Sequence, residues 1–174
     1  IDLSQPMGQR NKAIIETLYS CGLRVSELVN LKISNLYFDQ GFIKVTGKGN
    51  KERLVPISPK AVKEIKLYLK YDRNKLNIEK SSENIVFLNQ HGKKLTRNMI
   101  FTIIKELTQK ASLHKKISPH TFRHSFASHL VDRGADLRAV QEMLGHESII
   151  TTEIYTHLDR QYLRDTIIQY HPRS

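Results

Sequence analysis

The sequence predicts a mainly α-helical domain with one small antiparallel β-sheet, an α+β fold. Two observations support this prediction: most apolar residues recur at helical spacing, and two short strand-like runs flank a turn rich in glycine. The 174 residues suffice for one domain with a sizeable core. Hydrophobic residues make up 39% of the chain and charged residues 26%, which is ordinary for a globular protein and argues against disorder.

The N-terminal part of the chain reads as a linker followed by two helices. Residues 1–9 lack an apolar pattern and contain Pro and Gly, which predicts a linker ahead of a domain over residues 10–174. Apolar residues at helical spacing predict a helix over residues 10–20, with Gly22 just beyond its end. Ser26 is the expected N-cap of a short second helix.

The predicted strands come next. Residues 42–45 and 53–57 are rich in apolar and β-branched side chains, and the turn sequence Gly-Lys-Gly-Asn over residues 47–50 lies between them. This pattern predicts a β-hairpin whose tip is rich in Lys and Gly. A polar loop is expected over residues 72–84, and another short strand over residues 85–88.

The remaining elements are predicted to be helices. Ser-Pro pairs at residues 58–59 and 118–119 are typical helix starts, because Ser caps free backbone N–H groups and Pro fits the first turn. Further helices are expected after the caps Thr96 and Asp136, and over residues 149–155 and 162–170.

The charge balance points to a polyanionic partner. The chain has 28 Lys and Arg against 17 Asp and Glu, a net charge of +11. The excess is spread over both halves, with the densest stretches at residues 44–75 and 93–116. This distribution favours nucleic acid as the partner.

Other features of the sequence bear on membrane association, cysteine chemistry and the extent of the chain. No apolar run approaches the roughly 18 residues of a membrane span, so no membrane partner is expected. The single Cys21 excludes an internal disulfide framework and a zinc site built from several cysteines, which fits a reducing cytosol. Because the first residue is Ile1 and not Met, we expect the chain to be part of a longer protein.

The most informative segment is His-Thr-Phe-Arg-His, residues 120–124. Helical spacing places His120, Arg123 and His124 on one face. Buried histidines bonded to backbone are one interpretation, and a zinc site is another, because two His at i and i+4 match metalloprotease spacing. Zinc is disfavoured because Thr121 stands where such a site needs Glu, and Arg123 would place a cation beside the metal. Two His and one Arg on one face suit a phosphate better.

Other candidate residues are individually ambiguous. Lys48 is either a solvated lysine at a hairpin tip or a lysine carried to a reacting oxygen, and no Walker A motif surrounds it. Arg24, between two predicted helices, is either exposed or a fixed anion ligand, and Glu27 three residues later could orient a neighbouring side chain. Tyr155 reads by default as a core aromatic, and His146 follows Gly at a helix end.

Taken together, the motifs GLRVSEL, GKGNKER, HTFRH, LGH and IYTH resemble the catalytic domain of tyrosine site-specific recombinases, the phage-integrase family, and within it the bacterial Xer recombinases. The resemblance covers about residues 10–165 and implies the fold shared with type IB topoisomerases. The catalytic set it implies is Arg24, Lys48, His120, Arg123, His146 and Tyr155, supported by Glu27 and His124. Candidate DNA contacts from the basic stretches are Lys51, Arg53, Lys93, Lys94 and Arg97.

The resemblance also implies an activity. A Tyr155 nucleophile would cleave and rejoin double-stranded DNA through a 3′-phosphotyrosyl intermediate, with no cofactor, metal or ATP. The partners would be a homo- or hetero-tetramer of recombinase subunits on paired sites, and an activating accessory protein is left open. A role in chromosome-dimer resolution in the bacterial cytoplasm, at the nucleoid, is expected, and the N-terminal DNA-clamping domain of such enzymes has no counterpart in this chain.

Alternatives remain at this stage. An integrase or transposase of a mobile element would use the same residues, and so would a type IB topoisomerase. A DNA-binding module without catalysis is a third alternative. The helix over about residues 160–170 either closes its own domain or, as the family implies, is exchanged with a neighbouring subunit on DNA.

Overall fold

Helices surround a small sheet in the computed structural model, which describes residues 1–145 and 157–173, with side chains in the second range from residue 161. Its helices are α1 (Gly8–Cys21), α2 (Val25–Val29), α3 (Pro59–Tyr71), α4 (Arg97–Lys110), α5 (Pro119–Asp132), α6 (Leu137–Leu144) and α7 (His157–Tyr170). Its strands are β1 (Leu36–Tyr37), β2 (Phe42–Thr46) and β3 (Glu52–Pro56). The predicted fold class is confirmed.

The three strands form an antiparallel sheet in the order β1-β2-β3. The predicted hairpin is confirmed, with Phe42 paired to Pro56 and Thr46 to Glu52. Strand β1, which pairs Leu36 with Ile43, was not anticipated because two residues carry no readable alternation.

The strand predicted over residues 85–88 is wrong. The structure has only single bridges at its ends, from Ile85 to Lys32 and from Leu88 to Lys94. Its hydrogen-bond partners are mixed and form no ladder. Arg73 donates to the Ile85 carbonyl, the Val86 N–H donates to the Leu31 carbonyl, and the Leu88 N–H donates to the Tyr68 hydroxyl at 3.0 Å. Val86, Phe87 and Leu88 are buried in the core, so the segment has a strand-like apolar pattern without forming a strand.

Most predicted helix starts are confirmed by their caps. Ser58 accepts from the Ala61 N–H, Thr96 from the Met99 N–H and Asp136 from the Arg138 N–H. The prediction for Ser26 is wrong. Helix α2 begins two residues earlier than an N-cap at Ser26 implies, at Val25, with Arg24 as the capping residue.

The buried apolar residues form two clusters. The first cluster joins α1, α2, the sheet, α3 and α4, and its largest members include Ile14, Leu18 and Tyr68. The second cluster joins α5, α6 and α7, and includes Phe126 and Leu163. Helix α1 packs against both α3 and α5, and so links the two clusters.

Helix α7 begins at residue 157, earlier than predicted, and packs on α5, α6 and β3 of its own chain. Exchange of this helix on DNA stays a prediction. The helix predicted over residues 149–155 lies outside the described residues. None of the described helices has the length and apolar character needed to cross a membrane.

Candidate functional site

The site begins at the junction between α1 and α2. Gly22 ends α1 in a left-handed conformation, with φ of 61° and its N–H donating to the Leu18 carbonyl. A Cβ atom at this position would lie 2.5 Å from Phe126 of α5, so the residue must also be small. The tight turn brings the next residues, up to Arg24, against α5.

Arg24 is held by Glu27 at the start of α2. The Arg24 backbone N–H donates to Glu27 Oε2 at 2.8 Å, and its Nη1 lies 3.2 Å from Glu27 Oε1. The Glu27 side chain is fully buried, whereas 39% of the Arg24 side chain remains exposed. Arg24 is therefore fixed at its base while part of its surface can reach a ligand.

Arg53 of β3 pairs with the same carboxylate. Its Nη1 and Nη2 donate to Glu27 Oε1 and Oε2 at 2.5 and 3.0 Å, and the pair is buried. Burial by itself raises the pKa of Glu27. The hydrogen bonds and positive charge of Arg53, together with the N–H and charge of Arg24, outweigh burial and leave this pKa below its usual value.

Arg123 reaches the same place from α5. Its Nη1 donates to the Gly22 carbonyl at 2.7 Å, and its Nη2 donates to the Leu144 carbonyl at the end of α6 at 2.6 Å. Burial, and then the positive charge of Arg24, lowers the pKa of Arg123 to about 10. The two guanidinium groups thus repel each other, and an anion between them would relieve that repulsion.

His120 and His124 lie on the same helix as Arg123. His120 is exposed in the first turn of α5, which Ser118 and Thr121 cap by a reciprocal pair of hydrogen bonds. His124 is also exposed, and its Nε2 lies 3.5 Å from the Ser128 hydroxyl. Neither histidine is the buried, backbone-bonded residue of the alternative interpretation.

Lys48 lies at the exposed tip of the β2–β3 hairpin. The Gly47 N–H donates to the Lys51 carbonyl at 2.7 Å and closes the turn. A Cβ atom at Gly47 would lie 3.5 Å from Glu27 Oε1, so the base of the hairpin contacts the buried ion pair. Lys48 therefore directly follows the residue that lies against Glu27, whose carboxylate holds Arg24.

Among the residues whose side chains the structure describes, 1–145 and 161–173, no group of three or more His, Cys, Asp or Glu side chains could hold a metal ion. The charges gathered at the site are cationic, apart from Glu27.

A family model for the phage integrase family matches residues 1–162. The chain belongs to the phage integrase family. It is 48% identical to the tyrosine recombinase XerD of Listeria innocua over 99% of this chain and 58% of that protein, and 45% identical to XerD of Staphylococcus aureus over 99% of this chain and 58% of that protein. The chain thus spans about 58% of the length of these curated relatives.

Solved structures of the family share the fold. The crystal structure of XerA recombinase is 36% identical with a TM-score of 0.74, covering 96% of this chain and 60% of that one. XerH recombinase bound to difH substrate is 30% identical with a TM-score of 0.73, covering 85% of this chain and 42% of that one. The integrase from mycobacterium phage Brujita is 28% identical with a TM-score of 0.74, covering 99% of this chain and 55% of that one.

Of the residues that carry the family resemblance, Arg24, Glu27 and Arg123 lie together at the α1–α2 junction, beside the base of the hairpin that carries Lys48. His120 is one turn from Arg123 on α5. His146 and Tyr155 lie outside the described residues.

The expected DNA contacts divide into two groups. Lys51, Lys93, Lys94 and Arg97 are exposed. Lys94 Nζ also contacts the side chain of Asn30, which caps the end of α2. The expected DNA contact of Arg53 is not supported by its position. The residue is 7% exposed, and its guanidinium nitrogens donate to groups inside the protein.

The sequence contained a signal for the buried position of Arg53. Arg53 pairs across the hairpin with Val45 and precedes the buried Val55 by two residues. Strand alternation therefore turns Arg53 to the same inner face. A charged side chain at an inward position needs a buried partner, which here is Glu27.

Proposed function

We propose that this protein is a site-specific DNA recombinase in which Tyr155 cleaves and rejoins DNA strands through a 3′-phosphotyrosyl intermediate. The observation that supports the proposal best is that Arg123 donates to the Gly22 carbonyl, two residues before Arg24, and that burial and the charge of Arg24 lower the pKa of Arg123. Gly47, next to Lys48, lies against the Glu27 carboxylate that holds Arg24, and His120 is on the same helix as Arg123. Bidentate guanidinium groups match the non-bridging oxygens of a phosphodiester, where negative charge builds up during displacement at phosphorus.

The other residues supply proton transfer. A tyrosine hydroxyl has an ordinary pKa near 10, so its attack at neutral pH needs a base, and His120 takes the phenol proton. The Tyr155 oxygen bonds to phosphorus as the bond to the 5′-oxygen breaks, and Lys48 protonates that leaving oxygen. His146 adds a hydrogen bond to a non-bridging oxygen. The covalent ester keeps the energy of the broken bond, so rejoining reverses these steps without ATP.

The biological role follows from the relatives. Since the relatives reported above include XerD recombinases and XerH bound to its difH substrate, we assign this protein to chromosome-dimer resolution on double-stranded DNA. Recombinase subunits would act as a tetramer on paired sites, in the bacterial cytoplasm at the nucleoid. An integrase of a mobile element is the second candidate, favoured by the likeness to the phage Brujita integrase.

Covalent capture tests the activity and identifies the site. DNA that stays attached to the full-length protein after denaturation is sequenced from cells, and the recovered site is built into a nicked suicide duplex. The protein should form a denaturation-resistant adduct with this duplex, in EDTA as well as in magnesium. Tyr155→Phe, which keeps the ring and removes only the hydroxyl, should form none.

The outcomes separate the alternatives. An adduct that persists in Tyr155→Phe would assign the attack to another residue, and an absolute need for a divalent ion would overturn the metal-free mechanism. Relaxation of one plasmid without exchange between two sites would indicate a topoisomerase. Captured DNA from mobile-element ends, instead of one chromosomal locus, would favour the integrase.

A further inference from the structure

Arg53 is a buried arginine that the mechanism above does not use, although it contacts several elements of the site. Its two terminal nitrogens clasp the Glu27 carboxylate of α2, and its Nε donates to the Met143 carbonyl of α6 at 3.1 Å. The guanidinium also contacts the base of the Lys48 hairpin, since a Cβ atom at Gly47 would lie 3.6 Å from Nη1. One side chain thus joins the hairpin, α2 and α6.

The contact with α6 continues to its last residue. Gly145 ends the helix in a left-handed conformation with φ of 68°, and a Cβ atom there would lie 3.0 Å from both Cδ and Nε of Arg53. Arg53 and Arg123 hold successive carbonyls at this helix end, those of Met143 and Leu144. The two arginines therefore fix the residues that lead directly into position 146.

We propose that Arg53 is a positioning residue for DNA cleavage: it fixes Glu27, and through it the Arg24 guanidinium, in register with the end of α6 that precedes His146. This inference rests on the proposed recombinase function. Arg53 itself does not touch the DNA.

The geometry requires arginine at this position. Two parallel bonds to a carboxylate and a third bond from Nε need the planar guanidinium fork, whereas a lysine would supply one charged point and could not span Glu27 and Met143 together. A neutral side chain would leave the Glu27 carboxylate buried with only Arg24 as a direct ion-pair partner.

Loss of Arg53 should also alter how the site responds to pH. The charged groups that act on Glu27 are Arg24 on its own helix, Arg53 on β3 and Arg123 on α5. Without Arg53 the largest opposing influence on Glu27 is gone, and burial raises the pKa of the carboxyl. A protonated Glu27 would release Arg24, so cleavage would fall as the pH is lowered.

The test measures single-turnover adduct formation at saturating suicide duplex, together with DNA affinity as a function of salt. Arg53→Met should slow adduct formation about 100-fold, because a displacement of about 1 Å in a reacting group costs a factor of that order. DNA affinity and its salt dependence should stay unchanged. Lys51→Met, on the exposed tip of the same hairpin, should instead weaken affinity and lower the salt slope by about one.

Arg73→Met is the matched control for general loss of a buried arginine. Arg73 is 8% exposed and donates to loop carbonyls of Ile85 and Glu83, away from the site residues described above. It should reduce stability without slowing adduct formation at saturating DNA. Arg53→Lys should fold and still be about 10-fold slow, since it keeps the charge but loses the fork.

The pH profile separates positioning from stability. Arg53→Met should lose rate as the pH falls from 8 to 6 more steeply than the parent, and adding Glu27→Gln should remove this extra dependence. Full-rate cleavage by Arg53→Met, or by Arg53→Lys if the Met variant does not fold, overturns the inference. A weaker salt slope with a normal rate makes Arg53 a DNA contact. Failure of the parent to form an adduct refutes the recombinase function instead.

Discussion

The two apolar clusters differ in how they are held together. The first cluster is broad: it joins the sheet to α1, α2, α3 and α4, and each of these four helices contributes fully buried residues. The second cluster is smaller and joins only α5, α6 and α7. Its ties to the rest of the chain include the hydrogen bonds from Arg53 of β3 to the Met143 carbonyl of α6 and from Arg123 of α5 to the Gly22 carbonyl.

Further polar contacts fasten the C-terminal end. The His171 ring bonds to the Tyr19 carbonyl of α1, and Arg173 forms an ion pair with Glu16 at 2.6 Å. A region held by few apolar contacts and several hydrogen bonds opens at lower free energy than a broad core. The elements that carry Arg24 and Lys48 therefore belong to the firmer region, whereas α6 and α7, which flank residues 146–156 in sequence, belong to the looser one.

Within the firmer region, the largest effect on cleavage is expected at Lys48. Lys48→Ala should slow adduct formation on ordinary DNA by about 10³-fold, within the range for loss of a general acid. Replacing the leaving 5′-oxygen by sulfur should restore most of the rate, because a thiolate departs without a proton. Single-turnover rates on the two duplexes measure this.

If sulfur does not rescue Lys48→Ala, the lysine is not the general acid. Rescue of Arg53→Met by the same sulfur would place that residue's effect on Lys48 and not on Arg24.

A matched pair of leucines tests the comparison itself. Leu18 in the first cluster and Leu163 in the second are 0% and 1% exposed. Leu18→Ala should lower the free energy of unfolding by about 4 kcal/mol, and Leu163→Ala by about 2 kcal/mol, because the smaller cluster can relax around the cavity. Urea denaturation measures both values.

Hydrogen exchange sharpens the same test. In Leu163→Ala the amides of α7 should exchange faster while those of α1 stay protected. Equal losses of stability, with uniform exchange throughout both regions, would mean that the two clusters unfold as one unit and that the distinction is wrong.

The sequence predicted the fold well where local signals were strong. The caps Ser58 and Thr96 and the hairpin turn each placed an element correctly. The segment at residues 85–88 was wrongly predicted as a strand because burial alone produces an apolar run. Several of its hydrogen bonds join it to side chains elsewhere in the sequence, including Arg73 and Tyr68.

For the site, too, the sequence did not reveal contacts between residues that are far apart in the chain. The motifs predict Arg24 and Arg123 as site residues, but a motif does not say what holds each side chain. The Glu27–Arg53 ion pair and the carbonyls of α6 depend on contacts between residues 26 and 90 positions apart. Inward alternation on β3 was the one local clue, and basic composition favoured the DNA interpretation over it.

The smallest expected effect is a pH response of the looser region through His171. This histidine is 1% exposed, its Nε2 donates to the Tyr19 carbonyl at 3.2 Å, and its Nδ1 accepts from the Arg173 N–H at 3.0 Å. Both bonds fix the neutral ring, because a proton on Nδ1 would face another N–H group. Burial lowers the pKa of His171 to about 4, and the nearby His129, Arg133 and Arg173 act in the same direction.

The sign follows from the ordinary histidine pKa near 6.5. Once α7 detaches, His171 takes up a proton below that pH, whereas in the docked state it stays neutral down to about 4. Docking is therefore fully favourable above about pH 6.5 and weakens as the pH falls towards 4. At pH 5.5 the loss should be on the order of 1 kcal/mol, seen as roughly tenfold faster hydrogen exchange over residues 161–171, after correction for the intrinsic rate. His171→Gln can donate and accept in the same two directions but cannot be protonated, so its α7 should lack this response. A pH response of equal size in His171→Gln would mean that other groups cause the response. If hydrogen exchange in α1 changes together with that in α7, the two regions open as one unit.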